Sequence, residues 1–275
     1  MFKGLATHGQ EEECKSYRDQ INDKSLSLWE KWNTYVVSRG LESLDKFKWF
    51  HDSEWLNVYG FPLELDYTDV RPLPPKWFRF DNLKRTEKNL DFEIPEQLRG
   101  RLGKLIYFSL GSMGGADVNL MKRLVVILSK SKHRFIVSKG PLHDRYELSD
   151  NMCGQQSVPQ IEVLSAVDLV ITHGGNNTVT ETFFYGKPMI VLPLFGDQHD
   201  NGQRLQEKGL GIRLNAHKCS EEELLTAIEG LLNDKKLNEK LRNISKRIQN
   251  DNSIEKLPKL IKNLLDRNGD NNGSE

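Results

Sequence analysis

The stretch DLVITHGGNNTVTETFFYGKPMIVLPLFGDQ, from Asp168 to Gln198, decides the fold. A short apolar run ends in His173, two glycines follow it, and a second apolar run leads to an Asp-Gln pair. Short apolar runs indicate buried strands, and the polar residues between them suit a helix that begins near Asn177. The pattern therefore predicts consecutive strands of a parallel sheet joined by a helix.

The same alternation continues on both sides of this stretch. Before it, KLIYFSL and HRFIVSK predict strands, and DVNLMKRLVVILSK between them predicts a helix capped by Asp117. After it, a helix over DNGQRLQEKG and a strand over GIRLN are expected, followed by a helix with a capping box of Ser220 and Glu223. The expected fold class is α/β, a Rossmann-like parallel sheet with helices on both faces and its ligand at the carboxyl ends of the strands.

Composition excludes several classes of function. The chain has 275 residues with Lys+Arg and Asp+Glu equal at 39 each, so no basic surface for nucleic acid is expected. The three cysteines are far apart and unlike a zinc or disulfide pattern, which favours a reducing cytoplasm. Apolar runs all fall short of the roughly 18 residues of a membrane helix, so no membrane span is expected.

The two ends of the chain differ from this regular region. All five tryptophans lie in the first third, where the pattern is mixed and mostly helical and the aromatic residues are expected to form core. Two further helical stretches, KLNEKLRNISKRI and SIEKLPKLIKNLL, are expected after the predicted sheet. The terminal DRNGDNNGSE has the composition of a disordered tail.

The turn after the strand that ends in His173 predicts an anion site. Gly174 and Gly175 allow the backbone to approach a ligand closely, and the N-terminus of the next helix presents unpaired N–H groups with partial positive charge. Asn177 and Thr178 add side-chain donors, and the imidazole adds another. The helix dipole alone contributes about 0.3 to 1 kcal/mol, so side chains must supply much of the binding.

Three further positions extend this site. Glu181 lies one helical turn beyond Asn177, where a carboxylate suits a pair of ribose hydroxyls better than a phosphate. Asp197 and Gln198 follow the next strand and suit the hydroxyls of a hexose. Ser112 follows the first strand in SLGSMGG and suits a phosphate. Together these positions predict a nucleotide diphosphate that bears a sugar.

Structural roles compete with these assignments. His173 taken alone fits a satisfied structural histidine, and Ser112 alone fits a turn residue. Asp197 alone fits the N-cap of the next helix. The sequence lacks the G-x-S-x-G turn of a Ser-His-Asp hydrolase. It also lacks the full G-x-G-x-x-G motif of a dinucleotide-binding protein.

The segment VPQIEVLSAVDLVITHGGNNTVTETFFYGKPMIVLPLFGDQHDN resembles the signature of the UDP-glycosyltransferases, which have the GT-B fold. The resemblance implies inverting transfer of a sugar from a UDP-sugar to a small, lipophilic acceptor, with no metal cofactor. By resemblance, the uracil edge would meet the backbone of Gln160, the ribose would meet Glu181, and the sugar hydroxyls would meet Asp197 and Gln198. The diphosphate would be held by Ser112, His173, Asn177 and Thr178.

The resemblance also implies a division of the chain. Residues 1–100 would be part of an acceptor-side domain, 101–252 a complete UDP-sugar-binding domain, and 253–275 a C-terminal helix with a disordered tail. Val158 stands where the family commonly has a tryptophan that stacks on uracil. The family's catalytic histidine follows a strand for which this sequence has no counterpart, and His8 is a poor substitute, so the catalytic residues stay unassigned.

Two hypotheses follow from these observations. The first is a UDP-glycosyltransferase with a short chain. The second is a UDP-sugar-binding module without its own turnover, either a pseudoenzyme or the donor half of a transferase completed by a companion chain. The region before Lys104 discriminates between them, because the general base must come from there or from a partner.

Overall fold

The computed structural model describes residues 5–6, 8–81, 84–85 and 92–271. The chain begins with a long helix, α1 (Glu11–Ser38), whose first turn contains three glutamates that suit the positive end of the helix dipole. The indole N–H groups of Trp29 and Trp32 donate to the carbonyls of Lys48 and Trp49. These bonds hold α1 against the extended segment that follows it.

A separate two-stranded sheet follows. Strand β1 (Asn57–Gly60) pairs in parallel with β2 (Trp77–Phe80), and the connection contains a 3-10 turn over Leu63–Leu65. Both strands are half-buried, unlike the fully apolar strands later in the chain. The mostly helical pattern expected for the first third therefore describes α1 but misses this sheet.

The main sheet has six parallel strands in the order β5-β4-β3-β6-β7-β8. These strands are β3 (Leu105–Ser109), β4 (Arg134–Ser138), β5 (Met152–Gln155), β6 (Leu169–Thr172), β7 (Met189–Val191) and β8 (Gly211–Arg213). Every residue of β3, β6 and β7 is buried, as expected for strands with helices on both faces. The strand order reverses between the neighbouring strands β3 and β6. The predicted α/β fold with a parallel sheet is confirmed.

Helices connect most of the consecutive strands of the main sheet, and three more follow its last strand in the described residues up to 271. The helices after α1 are α2 (Glu96–Arg99), α3 (Gly111–Gly114), α4 (Val118–Ser129), α5 (Gln160–Ala166), α6 (Asn176–Phe184), α7 (Gln198–Glu207), α8 (Glu221–Asn233), α9 (Lys235–Gln249) and α10 (Lys256–Asn271). In the part of the chain that the structure describes, none of the helices is long and apolar enough to cross a membrane.

Two predicted helix caps are confirmed. The carboxylate of Asp117 accepts a hydrogen bond of 3.0 Å from the backbone N–H of Leu120 at the start of α4. Ser220 and Glu223 form the predicted capping box of α8, with reciprocal bonds of 3.0 and 2.7 Å. Such caps satisfy backbone donors that the first turn of a helix leaves unpaired.

Strand β5 was not expected from the sequence. It contains Gly154, where an added Cβ would lie 2.1 Å from the carbonyl oxygen of Val137 in β4. Only glycine fits this close approach, and the requirement depends on a neighbour that is distant in sequence.

Helix α10 differs from the expected end of the chain. It continues through Asn271, into the stretch 266–275 that was predicted to be disordered. Once a helix is nucleated, each further residue adds one backbone hydrogen bond, so polar residues without proline can extend it. Residues 272–275 lie outside the described part of the chain.

A buried arginine connects the N-terminal third to the helices of the main sheet. Arg204 of α7, 2% exposed, donates to the carbonyls of Leu65 and Asp66 and forms an ion pair with Asp69. Its guanidinium carbon lies 4.7 Å from the centre of the Tyr67 ring. The segment between β1 and β2 therefore lies directly against the helix that begins with Gln198.

Candidate functional site

A cavity of about 310 Å³ lies at the carboxyl ends of β3, β4 and β5. This is the edge beside the reversal in strand order, where ligands bind in open α/β sheets. The cavity is lined mostly by small or neutral polar residues. Those that matter below are Arg85, Tyr107, Gly111, Ser112, Val158 and Gln160.

The ring of His173 is packed between two glycines beside this cavity. An added Cβ at Gly111 would lie 2.8 Å from the ring, and one at Gly175 would lie 2.5 Å from its Nε2 atom. Gly111 also has a φ of 70°, a conformation that disfavours other residues. The two glycines therefore create the space that the imidazole occupies.

The surroundings of His173 favour the neutral form of its imidazole. Burial lowers the pKa of His173 below its usual value, while a hydrogen bond to the Ser109 backbone and the charge of Asp197 oppose this shift. A neutral imidazole has a single N–H donor, so a hydrogen bond to an anionic oxygen would replace the one to the Ser109 carbonyl.

Helix α6 begins directly after this histidine. Gly175 is its N-cap, without a side chain to satisfy the first backbone N–H groups. Asn177 is exposed in the first turn, and Thr178 is buried. The N-terminus of α6 thus presents polar hydrogens beside His173, as an anion site requires.

Glu181 forms a buried cluster one turn further along α6. Its side chain is 1% exposed and accepts hydrogen bonds of 2.7 and 3.1 Å from Arg85. A third bond, of 2.6 Å, comes from the amide nitrogen of Gln160. The Gln160 amide oxygen accepts a bond of 3.0 Å from Tyr107, and its nitrogen lies 3.4 Å from the hydroxyl of Thr178.

Arg85 was not singled out from the sequence. It belongs to the polar stretch KRTEKN, in which nothing distinguishes it from its charged neighbours. Its partner Glu181 lies 96 residues away, so only the folded chain brings the two together.

Asp197 and Gln198 mark the start of α7. Asp197 is exposed, and its side chain forms no capping hydrogen bond, although the residue occupies the N-cap position. Gln198 is buried, and its amide oxygen accepts bonds of 2.9 and 3.1 Å from the backbone N–H groups of Leu194 and Phe195. Part of Gln198 therefore holds its own loop in shape.

Asn201 connects this loop to the one that contains His173. Its amide nitrogen donates to the carbonyl of Gly174 at 2.9 Å and to the carboxylate of Asp197 at 3.2 Å. Sequence reasoning missed Asn201, because a polar residue inside a helix gives no local signal of such a bridge. The loops after β6 and β7 are thus fixed relative to each other.

The predicted site residues share one edge of the sheet. Ser112 and Gln160 line the cavity, and the ring of His173 touches Gly111 in its wall. Thr178 and Glu181 contact Gln160, while Gly175 and Asn177 begin α6. Asp197 and Gln198 begin α7, which Asn201 links to Gly174. The ligand atoms assigned to each residue stay predictions.

Metal ligands are not grouped in this region. Among the described residues there is no cluster of three or more His, Cys, Asp or Glu side chains that could bind a metal ion. His8 lies in a bend before α1 and is exposed, and no described strand precedes it in the chain.

A reversal in strand order, with a histidine and the N-terminus of a helix beside it, is the place where open α/β sheets bind their ligands. Residues 81–261 match the family described as UDP-glucoronosyl and UDP-glucosyl transferase, and the chain belongs to this family. This confirms the resemblance drawn from the segment around His173.

One curated relative is human UDP-glucuronosyltransferase 1A6, which is 29% identical over 238 residues, 84% of this chain and 43% of the relative. Another is NDP-glycosyltransferase YjiC of Bacillus subtilis, 32% identical over 148 residues, 53% of this chain and 38% of the relative. The chain thus spans less than half the length of these relatives.

Solved structures support the fold. The glycotransferase of kitacinnamycin matches 92% of this chain and 67% of its own, with a TM-score of 0.74 and 19% identity. The spinosyn rhamnosyltransferase SpnG, complexed with thymidine diphosphate, matches 84% of this chain and 61% of its own, with a TM-score of 0.62 and 21% identity. These matches confirm an α/β fold of the GT-B type.

Proposed function

We propose that the chain binds a UDP-sugar at the carboxyl edge of the main sheet, in the cavity after β3, β4 and β5 and beside the ends of β6 and β7, and transfers the sugar, with inversion, to a small lipophilic acceptor. The observation that supports this most strongly is the packing of His173 between Gly111 and Gly175 at the N-terminus of α6. Neither glycine tolerates a side chain there, so the sequence preserves a pocket for an imidazole beside free backbone donors.

The proposed roles follow from the chemistry of each group. The diphosphate accepts hydrogen bonds from His173, Ser112 and the first turn of α6. One ribose hydroxyl donates to Glu181, and the hexose hydroxyls meet Asp197 and Gln198. That SpnG was solved with thymidine diphosphate supports a nucleoside diphosphate as the ligand class.

The transfer step needs a proton acceptor as well as a donor site. The acceptor hydroxyl loses its proton, its oxygen bonds to the anomeric carbon, and the bond from that carbon to the diphosphate breaks, leaving the electron pair on UDP. Backbone N–H groups and a neutral imidazole can stabilise the departing charge without a metal. The residue that accepts the proton stays unassigned.

A second candidate is a UDP-sugar-binding module without its own turnover. It is favoured by the described residues, among which we assign no side chain as the general base. In this case a companion chain would supply the acceptor half. We propose a cytoplasmic location for both candidates, because the three cysteines are free, as in a reducing compartment.

Calorimetry with UDP and UDP-sugars, run beside a sugar-transfer assay, separates these candidates. We expect binding in both cases and transfer only in the first. His173→Ala should weaken UDP binding about 10- to 100-fold, because one hydrogen bond to a charged group is lost. His8→Ala is the matched control and should bind as the wild type does. An unchanged UDP affinity in His173→Ala would remove this residue from the site.

A further inference from the structure

The charge of the cavity depends on one side chain. Among the described residues that line it, Arg85 alone is formally charged, and the others are serine, glutamine, tyrosine, glycine, proline and valine. His173, beside Gly111, adds a hydrogen-bond donor but little positive charge at neutral pH, because burial lowers its pKa. A nucleoside diphosphate would bring several negative charges into this setting.

Without a positively charged partner, Glu181 would oppose the binding of a diphosphate in this cavity. It lies four residues after Asn177 on α6, and side chains at this spacing are about 5 to 6 Å apart. A lone carboxylate at that distance from the proposed diphosphate would repel it, and burial would strengthen the repulsion. The carboxylate must therefore be neutralised if the ribose and the diphosphate are to bind side by side.

Arg85 provides this neutralisation in a defined geometry. Two of its nitrogens contact both oxygens of Glu181, and paired bonds of this kind fix the plane of a carboxylate. The bond from Gln160 adds a third constraint. A carboxylate has about four acceptor positions, so three bonds leave about one for a ligand hydroxyl.

We propose that Arg85 is a positioning residue of the donor site: it neutralises and orients Glu181, so that one carboxylate can receive ribose beside the diphosphate of the same nucleotide. The proposal rests on the proposed function. It also gives the segment before the main sheet a part in nucleotide binding, since Arg85 precedes β3 by some twenty residues of sequence.

The test compares UDP with uridine, which lacks the phosphates. Arg85→Gln should lower UDP affinity about 10- to 100-fold, because an uncompensated carboxylate would then face the diphosphate. Uridine affinity should fall by less than about threefold, because uridine has no charge to repel. Arg85→Lys keeps the charge and should retain UDP affinity better than Arg85→Gln.

The double variant isolates the electrostatic role. The double variant Arg85→Gln/Glu181→Gln has neither the guanidinium nor the uncompensated carboxylate, so it should bind UDP more tightly than Arg85→Gln does. Arg101→Ala is the matched control, since Arg101 forms an ion pair with Asp150 that is exposed and outside the cavity. Circular dichroism of each variant checks that it is folded.

Several outcomes would overturn the proposal. Equal losses for UDP and uridine in Arg85→Gln would mean that charge is not the reason, and an unchanged UDP affinity would remove Arg85 from the site. Tighter binding by Arg85→Gln would show that the arginine blocks the ribose position. In these three cases UDP binding by the wild type persists, so the proposed function stands. Failure of the wild type to bind UDP would overturn the proposed function and this proposal together.

Discussion

The six-stranded sheet and the N-terminal third are stabilised in different ways. The sheet has a continuous apolar core, in which Phe108, Phe135 and Ile171 are fully buried. The N-terminal third has half-buried strands and exposed aromatics, with Phe50 at 78% and Trp55 at 51% exposure. Its contacts with the sheet include ion pairs of Arg204 and Arg247.

This difference predicts that the stability of the two regions responds differently to salt and pH. A parallel sheet buried on both faces is stabilised by the hydrophobic effect, which is large and insensitive to pH near neutrality. A surface held by ion pairs responds to salt and pH. Because all five tryptophans lie in residues 29–77, tryptophan fluorescence follows the N-terminal third, while far-UV circular dichroism follows the whole chain.

The largest expected effect comes from truncating the core of the sheet. Phe135→Ala removes a fully buried ring from β4 and should lower the free energy of unfolding by about 3 to 5 kcal/mol. Trp55→Ala, at a half-exposed position, should change it by less than about 0.5 kcal/mol. Urea unfolding followed by circular dichroism measures both. Similar losses in the two variants would contradict the contrast between the two regions.

A smaller effect is expected from two glycines in the sheet half. Gly154→Ala should destabilise by about 1 to 3 kcal/mol, because its Cβ would lie 2.1 Å from the Val137 carbonyl. Gly230→Ala, in the interior of α8 with open space around the new Cβ, should stabilise by about 0.5 to 1 kcal/mol. Thermal unfolding of the pair gives both signs. A tolerated Gly154→Ala would mean that β5 does not pack so closely on β4.

These cases also show how far the sequence predicts the molecule. Strands β3 and β6 and the Asp117 cap were predicted because apolar runs and caps are local signals. Strand β5 was missed because Gly154 is required by a contact with a different strand. Arg85 and Asn201 were missed because their partners are brought to them only by folding.

The same distinction applies to the predicted site. His173, Gly175 and Asn177 follow each other in one turn, so their proximity could be inferred from sequence alone. Glu181 was expected to meet a ligand, and the structure adds that it already holds Arg85 and Gln160. Spacing along the chain thus predicts which side chains lie together in one turn. Contacts between distant parts of the chain decide how many hydrogen-bonding positions of each side chain remain for a ligand.

The smallest expected effect concerns the pH response of the contact between the N-terminal third and α7. Hydrogen bonds from Lys208, together with Arg204, lower the pKa of Asp69 from 3.8 to about 2. The charged form is thus favoured in the folded state, so its contribution is present above the ordinary pKa and is lost as pH falls through about 2. Asp69 is 48% exposed, so this contribution is small.

Asp69→Asn measures this contribution. The urea midpoint of tryptophan fluorescence should fall slightly in Asp69→Asn at pH 6, and the difference from wild type should disappear as both approach pH 2. Asp45→Asn, which removes an exposed pair with Lys48, is the control and should differ little at either pH. The circular dichroism midpoint, which follows the apolar sheet, should move less than the fluorescence midpoint. A difference that persists unchanged at pH 2 would mean that Asp69 acts through packing, and the contact with α7 would then resemble the apolar sheet in its response to pH.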